Sequence, residues 1–435
     1  MRPKGTDVCV PACEQNLPRH STRPVPKTFP RSARLAQLFT LAFAVSGAAA
    51  CASSAPADAE RVGARSDAVI RGTVSDASQD AVVLLMHIDP KANGFGECTG
   101  TMLAPNLVLT ARHCVAETEA YAACDGSGKP LAAGKVYANH KPETLYVFTG
   151  NRRPDFHGGL SALKAVPHGA QIIDDGGTNL CNHDIALIVL DRPIEGTPIA
   201  PVRLETPVVK GELVTTVGWG VTEKSPQPAQ RQQRGGVAVE ELGPSDMVPP
   251  NEFQVGESIC SGDSGGPAVA STGAVIGVVS RGGNGRQPSQ NDPSAGCING
   301  SNLFSRVSSF KDMILRAYEQ AGAEPWIEGK PDPRKAKFAA ACTQPSDCRS
   351  NLCRQDDTSG DLTCSQTCSD DEPCPDGYEC AEEGDLSVCR LPPPPPPPTT
   401  TTTVGCSAGP SSAGGLGWIA LAALGVIASR RRRRA

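Results

Sequence analysis

Between positions 69 and 307 the apolar residues fall in short runs separated by Gly, Pro and Asn, with almost no helical periodicity. The clearest runs are 82–88 (VVLLMHI), 107–110 (LVLT), 185–190 (IALIVL), 213–219 (LVTTVGW) and 274–280 (AVIGVVS). Branched side chains crowd a helix but fit a pleated surface, so runs of this length bounded by turn residues predict strands. Many short strands with little helix predict an all-β barrel or sandwich. One segment differs: 305–322 (SRVSSFKDMILRAYEQAG) spaces its apolar residues as a helix does.

The pattern changes on both sides of this region. Residues 31–51 run from Arg31 and Arg34 through an apolar stretch into SGAAAC, the charge, apolar and small-residue order of a signal peptide. Its end resembles a bacterial lipobox with Cys51 as the lipidated residue; plain cleavage after Ala50 is the alternative. Residues 1–30 contain Pro, Arg and two cysteines without apolar periodicity and read as an unstructured extension. No Met lies between Met1 and Met86, which points to a non-Met start codon downstream and an untranslated extension. Residues 52–68 are then a propeptide or linker.

Residues 390–403 form a stiff Pro/Thr linker with no capacity to build a core. Residues 404–435 hold Cys406, a Gly/Ser stretch, an apolar run shorter than the ~20 residues of a spanning helix, and arginines at 430–434. Terminal arginines hold the cytoplasmic side of a membrane. This segment resembles the C-terminal sorting segment of myxobacterial surface proteins, with Cys406 at the processing and lipidation position. The resemblance implies removal of the tail by cell-surface sorting machinery and anchoring at the outer surface; a permanent single-pass anchor is the alternative.

The chain has 435 residues and a formal net charge of −5, so nothing general favours nucleic acid as a partner. Its 18 cysteines suit an oxidising compartment and predict export. Outside the tails, six lie between Cys98 and Cys297 and eight between Cys342 and Cys389. The second group, 342–389, has few apolar residues and reads as a small disulfide-rich module, whose eight cysteines allow 105 pairings. Adhesion or substrate capture and a protease-resistant spacer are the two readings of such a module. It contains no histidine, and the chain shows no HExxH motif, so no metal and no cofactor is expected.

Amide hydrolysis through serine needs an activated hydroxyl, an imidazole base, a carboxylate that fixes the imidazole tautomer, and N–H donors for the oxyanion. Residues 260–267 (CSGDSGGP) supply Ser264 on a glycine-rich turn that brings the Gly262 and Ser264 amides together. Residues 107–114 (LVLTARHC) lead an apolar strand into His113, and 182–190 (NHDIALIVL) place Asp184 before another. An α/β-hydrolase elbow would require a histidine after the serine, and none follows Ser264.

Together these motifs resemble those of trypsin/chymotrypsin-like serine proteases: TARHC for TAAHC, DIAL, Gly218-Trp219-Gly220, and an unchanged GDSGG, in the family's order. The resemblance implies a domain over 69–322 made of two packed six-stranded antiparallel barrels with a C-terminal helix. It implies His113 as general base, Asp184 as its orienting carboxylate, Ser264 as nucleophile, and the Gly262 and Ser264 amides as oxyanion hole. It also implies bridges Cys98–Cys114 and Cys260–Cys297 and, with these, Cys124–Cys181.

Activation in such proteins frees an amine that inserts beside the acid before the nucleophile. Here VIRGT (69–73) implies Val69 as that new N-terminus, released by another protease, and Asp263 as its partner. The specificity pocket would comprise Ser258 at its base with Ser280 and Gly282 on the strand SRGG. Ser258 is not the Asp that selects Lys or Arg, so apolar substrate side chains are expected. Glu257 offers a nearby charge, Arg281 stands where tryptophan is usual, and the long 283–297 stretch remodels the rim. The expected partner is a protein or peptide substrate; a catalytically silent binding protein and a non-peptide esterase are the competing functions.

Overall fold

A computed structural model describes residues 69–89, 94–155, 159–355 and 359–393. The expected extension, signal peptide, Cys51, propeptide, most of the Pro/Thr linker, Cys406 and the tail lie outside the described residues. Among the described residues no helix is long and apolar enough to cross a membrane.

The strands build two antiparallel barrels. In the first, the order is Gly169–Ile173, Ala186–Leu190, Leu107–Thr110, Gly94–Ala104, Val82–Asp89, Leu145–Phe148, and a bridge between Tyr146 and His168 joins its two ends. In the second, Gln232–Leu242, Leu213–Gly218, Pro267–Val269, Val275–Gly283, Ser301–Arg306 and Glu252–Val255 follow in order, and Val239 opposite Val255 closes the ring. Thr73–Val74 adds to the outside of Gln232–Leu242. Closure leaves few unpaired strand edges.

Leu103, Leu107, Leu109 and Ile188 fill the first core, and Val237, Phe253, Ile276 and Phe304 the second. Ala186–Leu190 is buried at every position, so no alternation survives there. Its inner face meets the barrel core and its outer face the C-terminal helix, which fixes the residue just ahead of it, Asp184, at a rigid spot.

The expected helix over 305–322 is shorter than its periodicity suggested. Ser305 and Arg306 end the strand Ser301–Arg306, Val307–Phe310 is a 3-10 turn, and the α-helix spans Lys311–Gln320. The strand wins because both its edges are paired, with Ser305 opposite Glu252 on one side and Val278 on the other. The Ser305 hydroxyl also donates to the Asp184 carbonyl at 2.8 Å. The helix buries Met313, Ile314, Ala317 and Tyr318, and the Tyr318 hydroxyl donates to the Leu103 carbonyl.

Beyond the helix the chain returns to the barrels. Val202 N–H donates to the Trp326 carbonyl at 2.9 Å, Glu328 N–H donates to the Val202 carbonyl at 3.0 Å, and Arg203 grips the Glu328 carboxylate at 2.6 and 2.9 Å. The packed unit therefore continues past residue 322.

The cysteine-rich segment is knit by Cys342–Cys353, Cys348–Cys364, Cys368–Cys380 and Cys374–Cys389. The bridges interleave in two successive pairs, each holding one short hairpin, Cys353–Gln355 with Leu362–Cys364 and Glu379–Glu383 with Leu386–Arg390.

Candidate active site

His113 sits in the 3-10 turn Arg112–Cys114 at the end of Leu107–Thr110, and a disulfide ties Cys114 to Cys98 on the neighbouring strand. Asp184 is 1% exposed and receives its three donors from fixed elements. Its Oδ1 accepts the His113 backbone N–H at 3.0 Å, and its Oδ2 lies 2.9 Å from His113 Nδ1 and accepts the Ser280 hydroxyl at 2.7 Å. With a proton on Nδ1 facing the carboxylate, Nε2 presents a lone pair.

Burial alone pushes the Asp184 carboxyl up, but the His113 charge and hydrogen bond, the Ser280 hydroxyl and the His113 amide outweigh it and hold it below the usual range. For His113, burial opposes the charged imidazolium, yet the Asp184 charge and hydrogen bond overcome it and raise the imidazole above its ordinary value. The pair therefore favours an imidazole that accepts a proton readily while its partner stays ionised.

Ser264 and His113 line one cleft of about 920 Å³. The serine's turn is bolted to both barrels: its carbonyl accepts Thr99 N–H at 2.8 Å, while the Gly265 N–H donates to Val279 at 2.9 Å. Gly265 has φ +80°, and a Cβ there would lie 2.1 Å from Thr110 Oγ1, so no other residue fits without moving the first barrel. Among the described residues neither the Gly262 nor the Ser264 amide donates to a protein acceptor.

Asp263 turns the opposite way. It is fully buried and accepts the Gly220 and Cys260 amides at 2.7 and 2.8 Å. Burial pushes its carboxyl up to about 7, against those two hydrogen bonds. The GWG motif makes the hollow: a Cβ on Gly218 would lie 2.1 Å from Asp263 Oδ1, and one on Gly220 would lie 2.6 Å from its carboxyl carbon. Val69, also buried, has φ 47°, and the neighbouring Arg71 has its N–H on Glu223 and its side chain on Glu257.

The expected pocket residues are placed less simply. Ser280 and Gly282 line the cleft, but the Ser280 hydroxyl is committed to Asp184. Ser258 is fully buried and is not on the cleft surface, because Asn302 stands in front of it. Asn302 Nδ2 donates to the Gly256 carbonyl at 2.9 Å and lies 3.5 Å from Ser258 Oγ, while its Oδ1 is buried with no partner among the described residues. That oxygen faces Gly282, where a Cβ would lie 2.2 Å away. Glu257 offers the cleft no charge, since Arg234, Arg71 and the Asn299 amide occupy its carboxylate.

The structure joins Cys260 to Cys297 beside the cleft and Cys124 to Cys181 on the approach to Asp184. Asn284 folds the long rim segment back on itself, donating to the Ala295 and Ile298 carbonyls at 2.8 and 2.7 Å. Asn302 and Glu252, which pairs with Arg281, were missed from sequence. The only local signal for Glu252 is an acid opening an otherwise strand-like EFQV run.

A family model described as Trypsin matches residues 85–314. Similar curated proteins include a trypsin of Saccharopolyspora erythraea, 24% identical over 248 residues, which covers 54% of this chain and 92% of the relative. The thrombin-like enzyme elegaxobin-1 of Protobothrops elegans is 27% identical over 231 residues, covering 49% of this chain and 84% of its own. Glucanase inhibitor protein 4 of Phytophthora infestans is 24% identical over 208 residues, covering 44% and 71%.

Proposed function

This chain belongs to the trypsin family and is a serine endopeptidase, and from that premise we propose that Ser264 is its nucleophile, His113 its general base and Asp184 the carboxylate that orients the base. The observation that carries this reading is the His113–Asp184 contact at 2.9 Å in the cleft that Ser264 also lines. His113 Nε2 takes the Ser264 hydroxyl proton as Oγ bonds to the substrate carbonyl carbon. The negative charge moves to the carbonyl oxygen, where the Gly262 and Ser264 amides receive it. The imidazolium then returns its proton to the leaving amine as the C–N bond breaks, and water repeats the cycle on the acyl-enzyme. No cofactor enters any step.

Cleavage before Val69 by another protease is the proposed activating event, with Asp263 as the acceptor of the new amine. The Asp263 carboxyl, which has no cationic partner among the described residues, supports this reading. The primary pocket is read as polar and partly filled: Asn302 Oδ1, an acceptor without a donor, favours a neutral P1 side chain that brings an N–H or O–H. This reading is offered in place of the sequence-based expectation of apolar substrate side chains. Seven disulfides among the described residues support an exported protein. Surface anchoring through the C-terminal tail and Cys406, with the cysteine-rich module as a resistant spacer or capture element, completes the proposal.

The test is labelling with a fluorophosphonate probe after cleavage before Val69. Labelling confined to Ser264 and lost in Ser264→Ala is expected, with peptide turnover falling by several orders of magnitude in that variant. A folded, correctly cut protein that takes no label would make the chain a binding scaffold instead.

A further inference from the structure

Arg281 lies on the cleft strand Val275–Gly283, but its guanidinium turns inward, with its side chain only 14% exposed. It meets the fully buried Glu252 at two points, Nη1 to Oε1 at 2.9 Å and Nη2 to Oε2 at 2.6 Å. Glu252 Oε1 also accepts the Asn182 N–H at 2.8 Å, and Asn251 N–H donates to Asn182 Oδ1 at 2.6 Å. Asn182 is two residues before Asp184 and has φ 71°, so this clasp holds the turn that delivers Asp184. Arg281 Nη1 lies 3.2 Å from Ser280 Oγ, which in turn donates to Asp184 at 2.7 Å.

The hydrogen-bond chemistry runs one way. A guanidinium has only donors, so Ser280 Oγ must accept from Arg281. The single hydroxyl hydrogen is then left for Asp184, and the rotor is fixed. Without Arg281 the Ser280 oxygen loses its donor, and the hydroxyl is held by Asp184 alone.

We infer that Arg281, gripped by Glu252, is a positioning residue for the His113–Asp184 pair, acting through the Ser280 hydroxyl and the Asn182 turn. Removing two charges from water is unfavourable, and packed apolar residues in their place often stabilise a fold as well or better. A pair placed here is accounted for by what it orients. The inference rests on the reading of His113 as general base. The charged and titratable groups around that base are Arg281 and Glu252 from the second barrel, and Asp184 with the Arg112–Asp174 and His183–Asp175 pairs from the first. The Arg281 charge works against protonation of His113.

Two measurements test it. In the full chain carrying Ser264→Ala, the His113 ring is titrated by NMR in the parent, Arg281→Gln, Glu252→Gln and the double variant. Losing the Arg281 charge is expected to move the midpoint up, and losing the Glu252 charge to move it down, with the double variant close to the parent. The Gln–Gln pair keeps volume and neutrality where the Arg281 variant alone leaves an acid buried and unpaired. Midpoints that coincide in all four proteins overturn the inference.

In the active enzyme with a neutral peptide, Arg281→Gln should lower kcat on the order of tenfold at unchanged KM, because a displaced base slows chemistry and not binding. Arg281→Lys should restore the titration midpoint but not kcat, since an ammonium lacks the fork that reaches both partners. A rise in KM alone would make Arg281 a substrate contact and overturn the inference. Opposite NMR shifts in the Ser264→Ala proteins, together with no fluorophosphonate label on the cleaved protein that keeps Ser264, would support the clasp while sinking the reading of Ser264.

Discussion

Replacing Asp263 by Asn in the uncut chain should stabilise it above neutral pH and remove part of its pH dependence. The carboxyl is fully buried, receives only the Gly220 and Cys260 amides, and has no cationic partner among the described residues. Its titration point rises from 3.8 to about 7, a shift of about 3 units, or roughly 4 kcal/mol at about 1.36 kcal/mol per unit. The sign follows from proton counting. The folded chain holds this proton more tightly than the unfolded chain, so the penalty is absent below about pH 4, grows as pH rises, and is complete above about pH 7. Water penetration makes ~4 kcal/mol an upper bound.

The assay is urea unfolding of the uncut chain, carrying Ser264→Ala to prevent self-digestion, at pH 5 and pH 8 with and without Asp263→Asn. The difference between the two proteins should widen in favour of Asn between those pH values. After cleavage before Val69 the sign should invert, because the new amine neutralises Asp263 and Asn loses that pair. Cleavage also frees Val69 from φ 47°, a region that strains a branched residue by about 1–3 kcal/mol. Equal effects of Asp263→Asn on the cut and uncut chains would refute the assignment of Asp263 as the amine's acceptor.

Asn302→Asp should place a carboxylate against Gly282 and turn the pocket towards Lys and Arg, raising kcat/KM for such peptides relative to neutral ones by on the order of 10–100-fold. A peptide-library digest reads this directly, and an unchanged cleavage pattern would remove Asn302 from the pocket. A chain ending at Gly322 should be less stable than one ending at Lys330 by about 1–3 kcal/mol in urea, because it loses the Trp326–Val202 bond and leaves the buried Arg203 without Glu328. Equal midpoints for the two chains would return the domain boundary to the end of the helix.

The all-β class and the strand positions were legible because they depend on local chemistry: branched runs such as LVLT and IALIVL favour extended backbone wherever they fall. The motif residues His113, Asp184 and Ser264 were legible for another reason, since each sits in a short segment whose neighbours also serve its geometry. Gly265 must be glycine because Thr110 lies against it, and Gly218 and Gly220 because Asp263 does. The helix start was misread because Ser305 and Arg306 answer to partners at 252 and 278, which no local periodicity registers.

The same limit governs the residues that tune the site. Arg281 looked like a single substitution on a substrate strand, yet its role depends on Glu252, 29 positions away, and on Asn182, 70 positions from Glu252. Ser258 looked like the pocket base until Asn302, 44 positions on, was brought in front of it by the pairing of Gly282 with Asn302. Where a side chain carries bond-making chemistry, its immediate neighbours are constrained and leave a motif. Where it acts by holding another side chain still, any element that reaches the spot will serve, and only the closed barrel brings that element there.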